Sequence, residues 1–157
     1  MNFTHPVHQE MIIELMQHQV DFILIGGYAV IYHGYVRATG DMDIWLRPTN
    51  ENKERLLKVF EKLDFDGESI AAIAAMNFTD VIVFHIGIEP ERIDFLSKVQ
   101  GLNFDEAFSR KQFLSIKELA VPVLHLDDLV VSKLLANRLK DRADVEELQI
   151  INRLKKD

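Results

Sequence analysis

The stretch Asp41-Met42-Asp43-Ile44-Trp45-Leu46 alternates with a period of two. That is the signature of a β-strand, with Met42, Ile44 and Leu46 on one face and Asp41, Asp43 and Trp45 on the other. The two carboxylates then point the same way with their Cβ atoms roughly 7 Å apart, and like charges so placed repel. Pro48 marks the end of the strand. Upstream, Asp21 to Ile25 is an apolar run that reads as a buried strand, closed by Gly26-Gly27 and followed by a short helix from Tyr28 to His33 that Gly34 ends. Before it, His5 to His18 carries Val7, Met11, Ile12, Leu15 and Met16 at helical spacing, with Pro6 tolerated in the first turn.

Downstream, Thr49 or Asn50 caps a helix running to about Leu63, because Leu56, Phe60 and Leu63 follow the i, i+4, i+7 rule. Ser69 to Met76 reads as a helix of small residues. Val81 to Ile88 and Arg92 to Leu96 read as strands of an antiparallel hairpin around a turn containing Pro90. Short pieces follow near Phe104 to Arg110 and Phe113 to Leu126. The last third is expected to form two helices, the first with an Asp127 N-cap and a Leu126–Val131 staple, the second with Asp141 and Asp144 at its start. The pattern implies an α/β (α+β) fold, a mixed β-sheet flanked by helices with a C-terminal helical pair. With no repeat and no linker, residues 1–157 read as one domain, its core at about 5–126 and its C-terminal helices at about 127–154.

At 157 residues and 48% apolar content the chain can bury a real core without disulfides, which excludes disorder for most of it. It has no cysteine, so thiolate metal sites and cysteine nucleophiles are excluded, leaving carboxylates and six histidines as ligands. A net charge of -7 argues against a large basic groove for nucleic acid. No apolar run is long enough to span a bilayer, and Met1 to Glu10 lacks the marks of a signal peptide, so a cytoplasmic location without membrane contact is expected.

Asp94 supplies a third carboxylate, on a strand where Ile93 and Phe95 face away from it. Three acids converging in a partly enclosed site need counter-charge, and Mg²⁺ supplies it most naturally, because it takes one or two carboxylates together with water and phosphate oxygens. The Gly26-Gly27 turn lets backbone approach a phosphate, although a tight structural turn explains a lone glycine pair as well. Neither the dinucleotide fingerprint nor the Walker A loop is present.

The order strand, Gly26-Gly27, helix, Asp41-x-Asp43, then Asp94 on a separate strand, with Asp41 14 positions after Gly27, resembles the DNA polymerase β-type nucleotidyltransferase superfamily. Gly26-Gly-Tyr-Ala-Val30, Arg37-Ala-Thr-Gly-Asp-Met-Asp-Ile44 and the tail from Asp128-Leu-Val-Val-Ser-Lys133 to Arg138-Leu-Lys-Asp-Arg-Ala-Asp144 are similar to a small bacterial branch, the AbiEii-like and minimal nucleotidyltransferases. The resemblance implies that Gly26 and Gly27 hold a nucleoside triphosphate. It also implies that Asp41, Asp43 and Asp94 are catalytic and ligate two Mg²⁺ ions, with Mn²⁺ able to substitute, and that Lys133 meets phosphate. Arg37 and Thr39, just before the acid pair, are further candidates for phosphate. One departure is Tyr28, where many members of the superfamily carry a serine shortly after the first glycine.

The function so implied is transfer of an NMP from an NTP, ATP among them, to an acceptor hydroxyl of tRNA, protein or a small molecule, with a toxin–antitoxin role implied by the resemblance alone. A non-catalytic nucleotide-binding or protein-interaction member of the fold is the alternative. A glycosyltransferase using Asp-x-Asp fits the acid pair but not the glycine turn. Among other residues, Lys133 reads equally as a lysine snorkelling from a half-buried helix. Arg138, Lys140 and Arg142 with Asp141 and Asp144 read as a salt-bridged helix junction. His85 and His125 read as structural, His33 reads equally as a residue approaching substrate or as a helix C-terminal histidine facing the dipole, and Trp45, on the acid face, reads as a candidate wall of the pocket.

Overall fold

The computed structural model describes residues 5–36 and 40–156. Its first half runs α1 (Pro6–Gln17), β1 (Phe22–Ile25), α2 (Gly26–Tyr32), β2 (Met42–Leu46), α3 (Asn50–Lys62) and α4 (Gly67–Ala74). The second half runs β3 (Val83–Ile86), β4 (Ile93–Leu96), α5 (Phe104–Ser109), β5 (Gln112–Ile116), β6 (Leu119–Val123), α6 (Leu126–Ala136) and α7 (Leu139–Lys156). The six strands form one mixed sheet in the order β3-β4-β2-β1-β6-β5. β1 pairs antiparallel with β2 and parallel with β6, and β2 pairs parallel with β4. The outer pairs β3–β4 and β5–β6 are antiparallel. This is the mixed sheet flanked by helices that the alternation of patterns implies.

The central strands are apolar because both faces are covered. Phe22, Ile23 and Leu24 of β1, and Met42, Ile44 and Leu46 of β2, are fully buried. Met11, Ile12 and Leu15 of α1 and Leu56, Val59 and Phe60 of α3 belong to the same core. Thr49 caps α3 by accepting from the Asn52 N–H, as its position predicts. The Asn52 side chain accepts from Asp21 N–H at 2.8 Å and donates to Asp21 O at 2.9 Å, pinning α3 to the start of β1. No helix among the described residues is long and apolar enough to cross a membrane.

Four local readings change. Helix α2 begins at Gly26 itself, because Gly26 at φ +65 turns the chain out of β1 so sharply that the glycine pair becomes the first helical turn. The segment from Phe113 to Leu126 contains a hairpin, turned by Lys117 and Glu118 at φ +46 and +70, a conformation more usual for glycine or asparagine. The cap of α6 is His125, whose Nδ1 accepts from Asp127 N–H, so Asp127 lies inside the first turn. Trp45 is core, not pocket wall: it is 1% exposed, donates from Nε1 to Ser97 O at 3.2 Å, and meets Phe104 of α5 edge to face.

Candidate active site

The acid pattern of β2 meets that of β4 through strand pairing. Asp43 and Asp94 are register partners on adjacent parallel strands, and the row continues to Ile25 on one side and His85 on the other. Partners in register project to the same face, so Asp43 and Asp94 are neighbours across a single strand spacing of about 4.8 Å. Asp41 lies immediately before β2, where Met42 N–H donates to Arg92 O at 3.0 Å. Burial pushes the Asp43 carboxyl up to about 6, and the charges of Asp94 and Asp41 add to the effect while Lys133 and Lys140 offset part of it.

Above this row lies a cleft of about 380 Å³. Gly26 and Gly27 form one wall, Asp41, Asp43 and Asp94 the floor, and Lys133, Arg138 and Lys140 the helical side, with Gly40 and Glu89 at the mouth. A Cβ on Gly26 would collide with the Asp43 carboxylate and lie 3.0 Å from its Cγ, so backbone and acid can be this close only at glycine. The structure therefore brings together Gly26, Gly27, Asp41, Asp43, Asp94 and Lys133. Arg37 and Thr39 lie outside the described residues.

Lys133 neither snorkels nor stands free. It is buried, with Nζ 3.2 Å from Asp141 Oδ1 and 3.1 Å from Asp144 Oδ2. Asp141 also accepts from Arg138 Nε at 2.6 Å and from the Arg138 backbone N–H at 3.2 Å, the back-reaching half of a capping box at the start of α7. Burial alone would raise the Asp141 carboxyl, but hydrogen bonds from Arg138 and Lys133 hold it below the usual carboxylate range. Arg138 and Lys140, read from sequence as junction charges, also face the cleft; their place in a basic run next to Asp141 was the available signal. Nothing in the sequence marked Glu89.

Among the other residues weighed, Tyr28 is buried with its hydroxyl 2.7 Å from His8 Nδ1, and burial pushes that hydroxyl up to about 12. His33 is buried and donates from Nε2 to Leu124 O at 2.8 Å, tying the end of α2 to the end of β6. Both are structural.

Among the described residues no three carboxylate or imidazole side chains are gathered closely enough to hold a metal ion by themselves. Asp94 is engaged by Arg92, whose Nε and Nη2 both lie 3.0 Å from its Oδ1. The donor set nonetheless suits Mg²⁺, which is commonly held by one or two carboxylates with substrate phosphates completing the shell. Asp43, raised by burial and by its neighbours' charge, is the kind of group a cation would return to the ionised form.

Comparison with known proteins gives the class of the chain. The chain belongs to the family described as a nucleotidyltransferase of unknown function (DUF6036), whose model matches residues 7–157. In fold it is similar to TM1012 of Thermotoga maritima, a protein assigned as a nucleotidyltransferase, with a TM-score of 0.58 at 12% identity, covering 90% of this chain and 89% of that one. It is also similar to the lincosamide antibiotic adenylyltransferase LnuA, solved with lincomycin bound, with a TM-score of 0.55 at 14% identity, covering 96% of this chain and 99% of that one. At such identities the likeness concerns the fold. No curated protein matches the chain.

Proposed function

We propose that this chain is a Mg²⁺-dependent nucleotidyltransferase that moves an NMP from an NTP to an acceptor hydroxyl and releases pyrophosphate. The observation that carries the reading is the register pairing of Asp43 with Asp94 beneath Gly26. Asp41 and Asp43 would hold the metal, with Asp94 completing the set for a second ion. Mg²⁺ bound there supplies neutralisation of the charge that builds on the transferring phosphoryl group. Gly26 and Gly27 bring backbone to the triphosphate, and Lys133, Arg138 and Lys140 line the helical side facing it, the charge of Lys133 and Arg138 shared with Asp141 and Asp144. Arg37 and Thr39 retain their proposed part in phosphate binding. Asp94 holds the acceptor hydroxyl and takes its proton, which requires it to leave Arg92. A place in a toxin–antitoxin pair rests on motif resemblance alone.

That same Arg92 contact favours a second reading, a non-catalytic nucleotide-binding protein in which Asp94 stays engaged. The two readings separate in one experiment on wild type and Asp94→Asn. Thermal shift with each NTP and Mg²⁺ is followed beside pyrophosphate release in the presence of RNA, protein and small-molecule hydroxyls. The enzyme reading expects NTP-dependent stabilisation in both proteins and a loss of at least ~100-fold in release for the variant. Stabilisation without release in wild type supports the binding protein. No response of wild type to metal and NTP overturns both.

A further inference from the structure

We infer that the β- and γ-phosphates of the NTP, and the pyrophosphate they become, lie in a side chamber of the cleft where the ammonium of Lys98 receives them; this rests on the nucleotidyl-transfer reading and names a residue that holds its leaving group.

The first support is the chamber itself. It measures about 290 Å³ and shares Gly26, Asp43, Lys133 and Arg138 with the catalytic cleft, so the two are continuous. Its further lining includes Lys98-Val99-Gln100, which follow β4, and Ser132 and Ala136 of α6.

The second support is the direction of displacement. Asp43 borders both spaces, whereas Asp41, Glu89 and Asp94 border the cleft and not the side chamber. In an in-line displacement the attacking and leaving oxygens stand on opposite sides of the phosphorus. With the α-phosphorus over Asp43 and the acceptor hydroxyl on Asp94, the leaving group points away from Asp94. Across the sheet Asp43 has Asp94 as its partner on one side and Ile25 on the other, and Ile25 lines the side chamber. The side chamber is therefore the exit side.

The third support is charge. The side chamber adds Lys98 to Lys133 and Arg138. Lys133 is engaged by Asp141 and Asp144, and Arg138 by Asp141. Lys98 makes no hydrogen bond or ion pair with any described residue, so its charge is the one in the chamber left for an incoming anion. Ser132 does not share the role, because its hydroxyl already donates to Leu129 O at 2.8 Å.

The backbone that carries Lys98 is fixed on both sides. Ser97 N–H donates to Ile82 O at 3.1 Å, the Ser97 hydroxyl donates to Asp80 O at 3.0 Å and accepts from Ile82 N–H at 2.8 Å, and Ser97 O accepts from Trp45 Nε1. Val99 is buried, and Gly101, at φ +81, passes so close to α6 that a Cβ there would collide with Leu135. A long side chain on a rigid base can follow the phosphates from substrate to product.

In the transfer the acceptor oxygen forms a bond to the α-phosphorus, and the bond from that phosphorus to the oxygen bridging to the β-phosphate breaks. The hydroxyl proton passes to Asp94, and the electron pair of the broken bond stays on pyrophosphate, where Lys98 meets the added charge.

The test titrates wild type, Lys98→Ala, Lys98→Arg and Lys58→Ala by calorimetry at low and high salt. The ligands are inorganic pyrophosphate, a non-hydrolysable NTP analogue and the matching NMP, each with Mg²⁺. Lys58 is an exposed lysine of α3 that lines neither space, so it controls for net charge. The proposal expects Lys98→Ala to bind pyrophosphate and the analogue at least ~5-fold more weakly at low salt, with a smaller gap at high salt, and to bind NMP as wild type does. Lys98→Arg should keep most of the affinity, and Lys58→Ala should match wild type. Unchanged pyrophosphate affinity in Lys98→Ala, an equal loss for NMP, or an equal loss in Lys58→Ala overturns it, as does a wild type that binds the analogue no more tightly than NMP. Failure of the underlying reading registers elsewhere, as absence of a thermal shift in wild type with any NTP and Mg²⁺.

Discussion

Two groups of acids, one lining the cleft and one buried against the lysine of its helical side, are held on opposite terms. On the sheet side Asp43 stands beside Asp94 and Asp41, and burial with like charge pushes its carboxyl up to about 6. On the helix side Asp141 and Asp144 share buried Lys133, Arg138 closes on Asp141, and the Asp141 carboxyl lies below its usual range. Asp141 and Asp144 come with their cations, and Asp94 with Arg92, whereas at Asp43 burial and the charges of Asp94 and Asp41 outweigh the partial offset by Lys133 and Lys140.

The largest effect expected comes from removing the central cation of the compensated group. Lys133→Met leaves Asp141 and Asp144 buried with their shared ammonium gone, and breaking a buried pair in this way costs about 3–5 kcal/mol. Urea unfolding should show that loss. A variant as stable as wild type would mean that the helix-side acids do not depend on Lys133, and the contrast would fail.

Asp43→Asn should act in the reverse sense. The folded carboxyl is raised from 3.8 to about 6, so folding favours its protonated form. In the metal-free protein the contribution of Asp43 is intact below pH ~4 and is lost as pH rises from ~4 to ~6, by on the order of 3 kcal/mol. Asparagine removes that slope, so the variant should be the more stable of the two at pH 8 while its turnover falls at least ~100-fold. Unfolding titrations at several pH values in chelator, together with pyrophosphate release, check both halves. A variant less stable than wild type at pH 8 would place Asp43 among the framework acids.

Much of this division was legible before the structure. The alternation of Met42, Ile44 and Leu46 against Asp41, Asp43 and Trp45 fixed the strand and its acid face, and the Leu56, Phe60, Leu63 spacing with Thr49 before it fixed α3, because both patterns are local. Pairings between distant segments were not legible. That Asp43 meets Asp94 in register, that Phe104 covers Trp45, and that Lys133 is received by acids on the next helix are all tertiary facts. The β5–β6 hairpin hid because Lys117 and Glu118 occupy a turn that usually announces itself with glycine or asparagine, and the α6 cap hid because histidine is not among the favoured caps.

Gly26→Ala sharpens the contrast at the point where backbone meets the uncompensated acid. The left-handed conformation at φ +65 and the collision with the Asp43 carboxylate together should cost about 1–3 kcal/mol. Because the side chain that must move is Asp43, the stabilisation by Mg²⁺ and NTP should shrink by more than the loss of basal stability explains. Thermal shift with and without ligand measures both. A variant with reduced basal stability and an unchanged ligand response would make Gly26 a packing residue only.

The smallest effect belongs to the outer member of the helix-side group. The Arg138 side chain is 60% exposed while Asp141 is fully buried, so the pair they form is screened by water although Nε lies only 2.6 Å from Oδ2. Arg138→Ala keeps the backbone N–H that also serves Asp141, and it keeps Lys133 on the other oxygen. The loss should therefore stay within about 0.2–1 kcal/mol and shrink further between low and high salt, as exposed pairs do. Unfolding in urea at two ionic strengths measures it, with Lys133→Met beside it as the buried reference. If Arg138→Ala costs as much as Lys133→Met and the cost is insensitive to salt, the compensation of Asp141 comes from its exposed partner, and the helix side of the cleft is balanced at its surface and not in its interior.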